Sequence, residues 1–157
     1  MKADKVISKA TTLLVAIGSA LCMIFAGQLA WWAAERSPPF EMMSYAIAPA
    51  RAGETTIARA LVKRDLDRRC SVVFSRVFFD SHGTRWELTA GTQMMNSSAL
   101  EAYNLRSPDT LAFAVKVPAT AKPGTGSVMT VLDYYCNPVH QSYPIPVVLT
   151  MNMEVLP

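Results

Sequence analysis

The sequence has little of what catalytic and metal sites are built from. It contains two histidines and three cysteines in 157 residues, and His82 and His140 fall in separate turn and loop segments. A protein zinc site needs three or four ligands, which this set does not bring together. The sequence also lacks a G-x-S-x-G nucleophile motif, a glycine-rich phosphate loop and an H-E-x-x-H pair. These absences predict a protein that is not an enzyme and that binds no metal or cofactor.

A strong charge of one sign is also missing. The formal net charge is +3, and Lys2, Lys5 and Lys9 carry much of it ahead of the first apolar stretch. The rest of the chain is therefore close to neutral. Proteins that bind nucleic acid by electrostatic attraction have strongly basic surfaces, so the composition argues against a nucleic acid as the partner.

No charged residue occurs from position 10 to position 34. At about 1.5 Å of rise per residue, some 20 apolar residues cross a hydrocarbon core roughly 30 Å thick. A helix also satisfies its own backbone hydrogen bonds, which lipid cannot do. The sequence predicts a basic tail at 1–9, a transmembrane helix at 10–34 and a proline-rich spacer at 35–39, where Pro38 and Pro39 cannot continue a helix.

The charges beside this helix predict its orientation. The lysines precede it, which favours an N-terminus in the cytoplasm and a C-terminal body outside. Trp31 and Trp32 lie at the outer end, where indole rings prefer the lipid headgroup layer. A cleaved signal peptide is the main alternative. The sequence favours an uncleaved anchor, because the apolar run is long and the tryptophans crowd the candidate cleavage site near Ala30.

One face of the predicted helix carries a small residue at every fourth position. These residues are Gly18, Cys22, Ala26 and Ala30. Small residues let membrane helices approach closely, so this face predicts helix association and a homo-oligomer. The alternative is that such residues are common in membrane helices in general.

Beyond position 40 the pattern is typical of strands, and no segment has sustained helical periodicity. Strands are predicted at Phe40–Ile47, Thr55–Arg64, Cys70–Phe79, 84–90, 109–117, 127–136 and Ile145–Leu156. The alanines of Thr55–Arg64 leave a helix as the alternative for that segment. Turns are predicted at 48–54, 80–83 and 118–126, and Pro146 is expected to interrupt the last strand. Residues 91–108 fit no single element, with a helical turn at 99–103 as one interpretation. Seven strands separated by turns predict an antiparallel Ig-like β-sandwich at 40–157.

Cys70 and Cys136 are the cysteines outside the predicted membrane helix. Cys70 begins the third predicted strand and Cys136 ends the sixth, which would be antiparallel neighbours in a sandwich. Both cysteines would then lie at one rim, in a compartment that permits disulfides. The sequence favours a bridge over two buried free thiols. A metal-handling site made of these cysteines and methionines is another alternative, although scattered methionines are usually core residues.

Several short motifs are spread along the chain: RSPPFE at 36–41, Cys70 with Arg76, DSHGTR at 80–85, PG at 123–124, YCNP at 135–138 and PI at 144–145. Together they resemble those of a group of small single-pass membrane proteins encoded by phages, prophages and their proteobacterial hosts. The resemblance covers nearly the whole chain. It implies a bacterial inner-membrane protein with an Ig-like domain in the periplasm, and it supplies no catalytic residues.

Three functional hypotheses follow. The first is a non-catalytic binding module that the membrane anchor displays in the periplasm, with another envelope protein, the cell wall or a second copy as its partner. The second is an accessory factor of phage lysis or of superinfection exclusion that acts through the membrane helix. The third is the metal-handling module.

Overall fold

The computed structural model of the protein describes residues 2–64, 68, 70–95 and 110–157, without the side chains of 2–10, 64 and 93–95. The chain divides into two units, Met1–Arg36 and Ser37–Pro157. The interpretation of 99–103 as a helical turn lies outside the described residues.

The first unit is a helix, α1, at Lys2–Ala34. Its segment Thr11–Ala34 has a mean hydropathy of 2.1 and is long and apolar enough to cross a membrane, a test that a signal sequence also passes. The helix begins earlier than predicted and therefore includes the basic tail. It ends at Ala34 as predicted, shortly before the two prolines that cannot continue it.

The second unit is built from β-strands. Its described elements are β1 (Phe40–Ile47), β2 (Ala50–Arg51), β3 (Thr55–Arg64), β4 (Cys70–Phe79), β5 (Arg85–Met95), β6 (Thr110–Lys116), β7 (Gly124–Tyr135), a short 3-10 helix (Pro138–Gln141) and β8 (Ile145–Leu156).

These strands form two sheets that pack face to face. One sheet has three strands in the order β1-β3-β6, and the other has five in the order β2-β8-β7-β4-β5. All pairings are antiparallel except the short parallel pairing of β2 with β8. Alternate side chains point between the sheets, so that Val115 of one sheet and Phe78 of the other are both buried. The all-β, two-sheet architecture predicted from the sequence is therefore confirmed.

The interior contains two groups of buried apolar side chains. The first, the Phe78 cluster, consists of Ala50, Ala58, Phe78, Val115, Val117, Ala121, Val128, Met151, Met153 and Val155. The second, the Tyr134 cluster, consists of Phe40, Ala60, Val62, Cys70, Val72, Tyr134 and Ile145. Because full burial of a large apolar side chain contributes about 1.5–3 kcal/mol, these clusters are the main source of stability of the sandwich.

Three predicted boundaries are wrong, and in each case strand pairing explains the difference. β5 continues to Met95 instead of ending at 90, because its later residues pair with the first residues of β4. β7 begins at Gly124, inside the predicted turn, because Gly124 pairs with Val155. The predicted turn at 48–54 contains β2, which pairs with the end of β8.

Pro146 does not interrupt β8. It pairs with Asp133 of β7, and Asn152, six positions later on the same strand, pairs with Ser127. The Asn152 N–H points away from β7, because it donates to the Tyr45 hydroxyl of β1. Alternation along a strand gives Pro146 the same direction. The missing N–H of the proline is therefore on the side of β8 that β7 does not use, where proline is tolerated.

Candidate functional site

The predicted disulfide is present in the structure. Cys70 and Cys136 are joined with an S–S distance of 2.07 Å and a Cα–Cα distance of 4.1 Å. Cys70 begins β4 and Cys136 directly follows β7, which are adjacent antiparallel strands. Cys70 is fully buried in the Tyr134 cluster, so the bridge is a structural element of the core.

His140 is part of the structure beside this bridge. It is fully buried, and its Nδ1 accepts a hydrogen bond of 3.3 Å from the backbone N–H of Cys136. The Asn137 side-chain oxygen accepts from the N–H groups of Val139 and His140 and so caps the 3-10 helix. These contacts fix the connection between β7 and β8.

Asp80 organises the opposite end of β4. Its Oδ1 accepts from the N–H groups of His82 and Thr84, both at 2.9 Å, and its Oδ2 accepts from Lys122 N–H at 3.0 Å. Burial alone raises the pKa of Asp80, but these backbone donors hold the pKa below its usual value. The carboxylate therefore connects the β4–β5 turn to the loop before β7.

The structure separates the two histidines. His82 lies in the β4–β5 turn and is exposed, whereas His140 follows the far end of β7. Within the described part of the chain, no three His, Cys, Asp or Glu side chains are grouped so that they could hold a metal ion.

The outer face of the five-stranded sheet carries a group of neighbouring apolar side chains. Cys70 and Phe78 of β4 point inward, so the odd-numbered positions of this strand point outward. Val73 on β4 is 40% exposed and Val148 on β8 is 58% exposed. The group, called here the binding face, consists of the exposed Val73 and Val148, the half-buried Phe79, Met129 and Val131, and the buried Val77.

The strand register brings these side chains next to one another. Val131 of β7 lies beside Val148 of β8, and Met129 lies beside Val77 of β4. With strands about 4.8 Å apart and same-face neighbours about 6.8 Å apart, the six positions cover on the order of 200 Å². Adjacent exposed apolar side chains on a soluble domain are a candidate interaction site.

Carboxylates stand beside the apolar patch. Asp133 is the cross-strand neighbour of Val73, and Glu87 is the cross-strand neighbour of Val77. Glu87 is exposed and lies 3.3 Å from Arg85. The binding face therefore fits a surface with an apolar centre and a basic edge.

The outer face of the three-stranded sheet is different. Ile57 is 52% exposed and Leu61 is 47% exposed, but Arg59 and Lys63 alternate with them on the same side of β3. Charged side chains thus interrupt the apolar surface there. Of the two outer faces, the one on the five-stranded sheet is the better candidate for binding.

The sequence of β4 contains a signal for an apolar outer face. In CSVVFSRVFF of β4, apolar residues occur at both odd and even positions. Such a pattern is typical of a strand whose two faces are both covered. Here the other sheet covers only the inner face, and of the outward apolar residues Val73 is exposed, Phe79 is half-buried and Val77 is buried.

The predicted residues of the helix all lie near or along its apolar segment. Trp31 is 72% exposed and Trp32 is half-buried, close to the end of α1. Gly18, Cys22, Ala26 and Ala30 are exposed and lie on one face, as the spacing of four residues requires. Cys22 is a free, exposed thiol, and a Cβ added at Gly18 would meet no atom within 4 Å.

No protein-family model and no curated protein matches the chain. The sporulation control protein Spo0M from Bacillus subtilis matches over 77% of this chain and 51% of its own, at 13% identity and a TM-score of 0.39. The Pseudomonas fluorescens alkylpurine DNA glycosylase AlkC, bound to DNA containing an abasic site analog, matches over 77% of this chain and 31% of its own, at 10% identity and a TM-score of 0.38. The chain thus spans about half and about a third of these proteins. At such TM-scores the likeness carries no argument about function.

Proposed function

We propose that the protein is a non-catalytic binding module, an Ig-like domain held outside the cytoplasm by α1 as an inner-membrane anchor. The observation that carries the proposal is the exposed apolar binding face on a sandwich that a disulfide stabilises. The anchor and the compartment are supported by the apolar helix segment Thr11–Ala34 and by the bridge.

The strand order supports an Ig-like topology. In an Ig domain the strands C, F and G share one sheet, variable-type domains add a strand beside C, and A, B and E belong to the other sheet. The order β8-β7-β4-β5 corresponds to G, F, C and the added strand, and β1-β3-β6 corresponds to A, B and E. The bridge joins the strands C and F of this assignment.

The membrane orientation rests on charge and chain order. The lysines before α1 favour a cytoplasmic N-terminus, and the sandwich follows α1 in the chain. The resemblance to membrane proteins of phages and proteobacteria supports the inner membrane and the periplasm as the location.

The partner that fits the binding face is a protein with an apolar surface and a basic edge. Removing the apolar area of the face from water would supply the main driving force. Asp133 and Glu87 would select basic neighbours and would exclude acidic ones, since unlike charges across an interface favour association and like charges oppose it.

Site-specific photocrosslinking in intact cells tests this surface. A photoreactive amino acid at Val148 should give a reproducible crosslinked partner, and the substitution Val73→Glu should abolish the crosslink. The matched control is the same amino acid at Ile57, which is also exposed but lies on the other sheet. Equal crosslinking from Val148 and Ile57, or a product that Val73→Glu leaves unchanged, would contradict the proposal.

The compartment requires a separate test. A C-terminal tag should be accessible to protease added to spheroplasts, and the electrophoretic mobility of the protein should change when the bridge is reduced. A tag protected until the membrane is broken, together with thiols that react without reductant, would exclude the periplasmic location.

The second candidate function, interference with infection or lysis through α1, is supported by the exposed small-residue face of the helix. Residues 1–39 alone should then perturb the membrane or block infection. Gly18→Leu should abolish this effect, because a large side chain keeps helices apart, whereas Leu21→Ile serves as the control. If only the sandwich is required, this candidate fails.

A further inference from the structure

Arg76 points into the sandwich. It occupies an even-numbered position of β4, as do the buried residues Val72 and Phe78. Val72 belongs to the Tyr134 cluster and Phe78 to the Phe78 cluster. Arg76 therefore lies between the two apolar clusters of the core, a position where a cation is costly unless it has partners.

Two aromatic rings hold the guanidinium group. Its Cζ lies 4.8 Å from the centroid of the Phe74 ring and 4.1 Å from that of Phe113. Phe74 belongs to the five-stranded sheet and Phe113 to the three-stranded sheet, so the cation contacts both layers. Ring faces attract cations, but they accept none of the hydrogen bonds that the N–H groups of the guanidinium donate.

One of these donors has no acceptor among the described residues. The Arg76 Nε is buried without a hydrogen-bond partner. Thr130, the cross-strand neighbour of Arg76 on β7, is 4% exposed, and its hydroxyl is also buried without a partner. Two adjacent polar groups thus point into the same layer of the core unsatisfied, which native interiors rarely tolerate without a reason.

Burial lowers the pKa of Arg76, because removal from water disfavours the charged form. Arginine nevertheless stays protonated at neutral pH. The site therefore presents a permanent, poorly hydrated cation, and an anion there would interact with it more strongly than in water.

The geometry also limits the approach of a ligand. Phe74 and Phe113 lie against the guanidinium, so a ligand reaches it from the sides that these rings leave open. Arg76 as a whole is only half-buried, which leaves part of the side chain accessible from outside. The planar fork of donors matches the two oxygens of an oxyanion.

We propose that Arg76, with Thr130 as an additional donor, binds the oxyanion of a ligand, either a carboxylate or a phosphate, between the two sheets. The site shares no residue with the binding face and is independent of the function proposed for that face. The anion would supply the acceptors that the surrounding core does not provide.

NMR of the full chain in nanodiscs with neutral lipids, labelled with 15N-arginine, tests this proposal. The Arg76 Nε–H signal is identified as the one that is missing from the spectrum of Arg76→Lys. Sodium acetate and sodium phosphate are titrated separately at an ionic strength held constant with sodium chloride. Saturable movement of the Arg76 signal in either titration supports the site, and comparison of the two shows which oxyanion binds more tightly.

Variants separate binding from packing. The apparent affinity for the anion is also obtained from the rise in melting temperature with anion concentration. Arg76→Lys should weaken this affinity by tenfold or more, because lysine keeps the charge but lacks the planar fork of donors. Thr130→Val should weaken it severalfold. The control, Arg85→Lys, changes an exposed arginine and should leave the affinity unchanged.

Three results would overturn the proposal. They are an Arg76 signal that does not respond saturably to either anion, a response that chloride reproduces, and an affinity that Arg76→Lys leaves intact. If Arg76→Lys fails to fold, nuclear Overhauser contacts with the Phe74 and Phe113 rings identify the Arg76 signal, and the wild-type titration then decides the matter.

Discussion

The hydroxyl of Tyr45 accepts a hydrogen bond of 3.2 Å from the backbone N–H of Asn152. Tyr45 belongs to β1, the edge of the three-stranded sheet, and Asn152 to β8, whose pairing with β2 is limited to Val155 and Leu156. A side chain of one sheet thus satisfies an edge donor of the other. Uncovered edge donors invite pairing with other chains, so this contact both joins the sheets and protects the edge of β8.

Tyr45→Phe should lower the free energy of unfolding by about 0.5–1 kcal/mol, because it removes one partly exposed hydrogen bond. Urea unfolding of the full chain in detergent, followed by tryptophan fluorescence, measures this change. Asn152→Ala is the control, since the donor is a backbone group that this substitution retains. Equal losses in the two variants would show that the hydroxyl contact is not the cause.

Removal of the disulfide should destabilise the sandwich strongly. The bridged residues are 66 positions apart, and the chain-entropy model gives about 4 kcal/mol for a loop of that length. This is a large share of a typical domain stability of about 5–15 kcal/mol. The double variant Cys70→Ala/Cys136→Ala should therefore unfold at a much lower urea concentration, whereas Cys22→Ala should not. Unchanged unfolding of the wild type after reduction would refute this expectation.

Acid should weaken the connection that Asp80 makes. Since its pKa in the folded protein is lowered, its contribution to stability is present above the ordinary aspartate pKa of about 3.9 and is lost as the pH falls through the lower, folded value. Asp80→Asn should reduce the melting temperature at pH 7 by several degrees. Below about pH 4, the melting temperature of this variant should fall less steeply than that of the wild type.

The measurement is a set of melting curves from pH 7 to pH 2. Glu154→Gln, an exposed carboxylate of β8, is the control and should follow the wild type. If the melting temperature of Asp80→Asn also changes in parallel with that of the wild type at every pH, the hydrogen-bonded carboxylate does not contribute to stability as inferred.

Gly126 lies where β7 passes close to β4. A Cβ at this position would be 2.8 Å from the carbonyl oxygen of Phe79 and 3.1 Å from the Phe78 ring. Gly126→Ala should therefore cost about 1–3 kcal/mol through overpacking, which outweighs the gain of about 0.4–1 kcal/mol from a stiffer unfolded chain. Thr125→Ala, at the exposed neighbouring position, should have little effect. A Gly126→Ala variant as stable as the wild type would show that the strands can separate without cost.

Local patterns in the sequence predicted the elements that depend on hydrophobicity and strand preference of neighbouring residues. The uncharged run defined the apolar part of α1 and its end at Ala34. Alternation and β-branched residues gave β1, β3 and β4 with the bounds that the structure has. The antiparallel pairing of the strands that carry Cys70 and Cys136 was also predicted from the sequence. Cys70 begins its strand and Cys136 ends its own, and the start of one strand meets the end of its antiparallel neighbour at one rim.

The positions that were predicted wrongly from the sequence depend on strand partners far away in the chain. Whether Pro146 interrupts β8 depends on which side of the strand β7 occupies. The extension of β5 to Met95 depends on its pairing with β4. Neither fact is contained in the residues near these positions, because a strand alone does not specify its neighbours.

The sequence by itself determined that the chain has an apolar helix and a disulfide-bridged body of β-strands, since hydrophobicity, strand preference and cysteine position act over short distances. Only the tertiary structure decided what each side of β4 faces. Register leaves the side chain of Val73 exposed and places Arg76 beside two phenylalanine rings. The physical reason is that strand pairing fixes which face of a strand is covered, and the covering sheet is formed by residues distant in sequence.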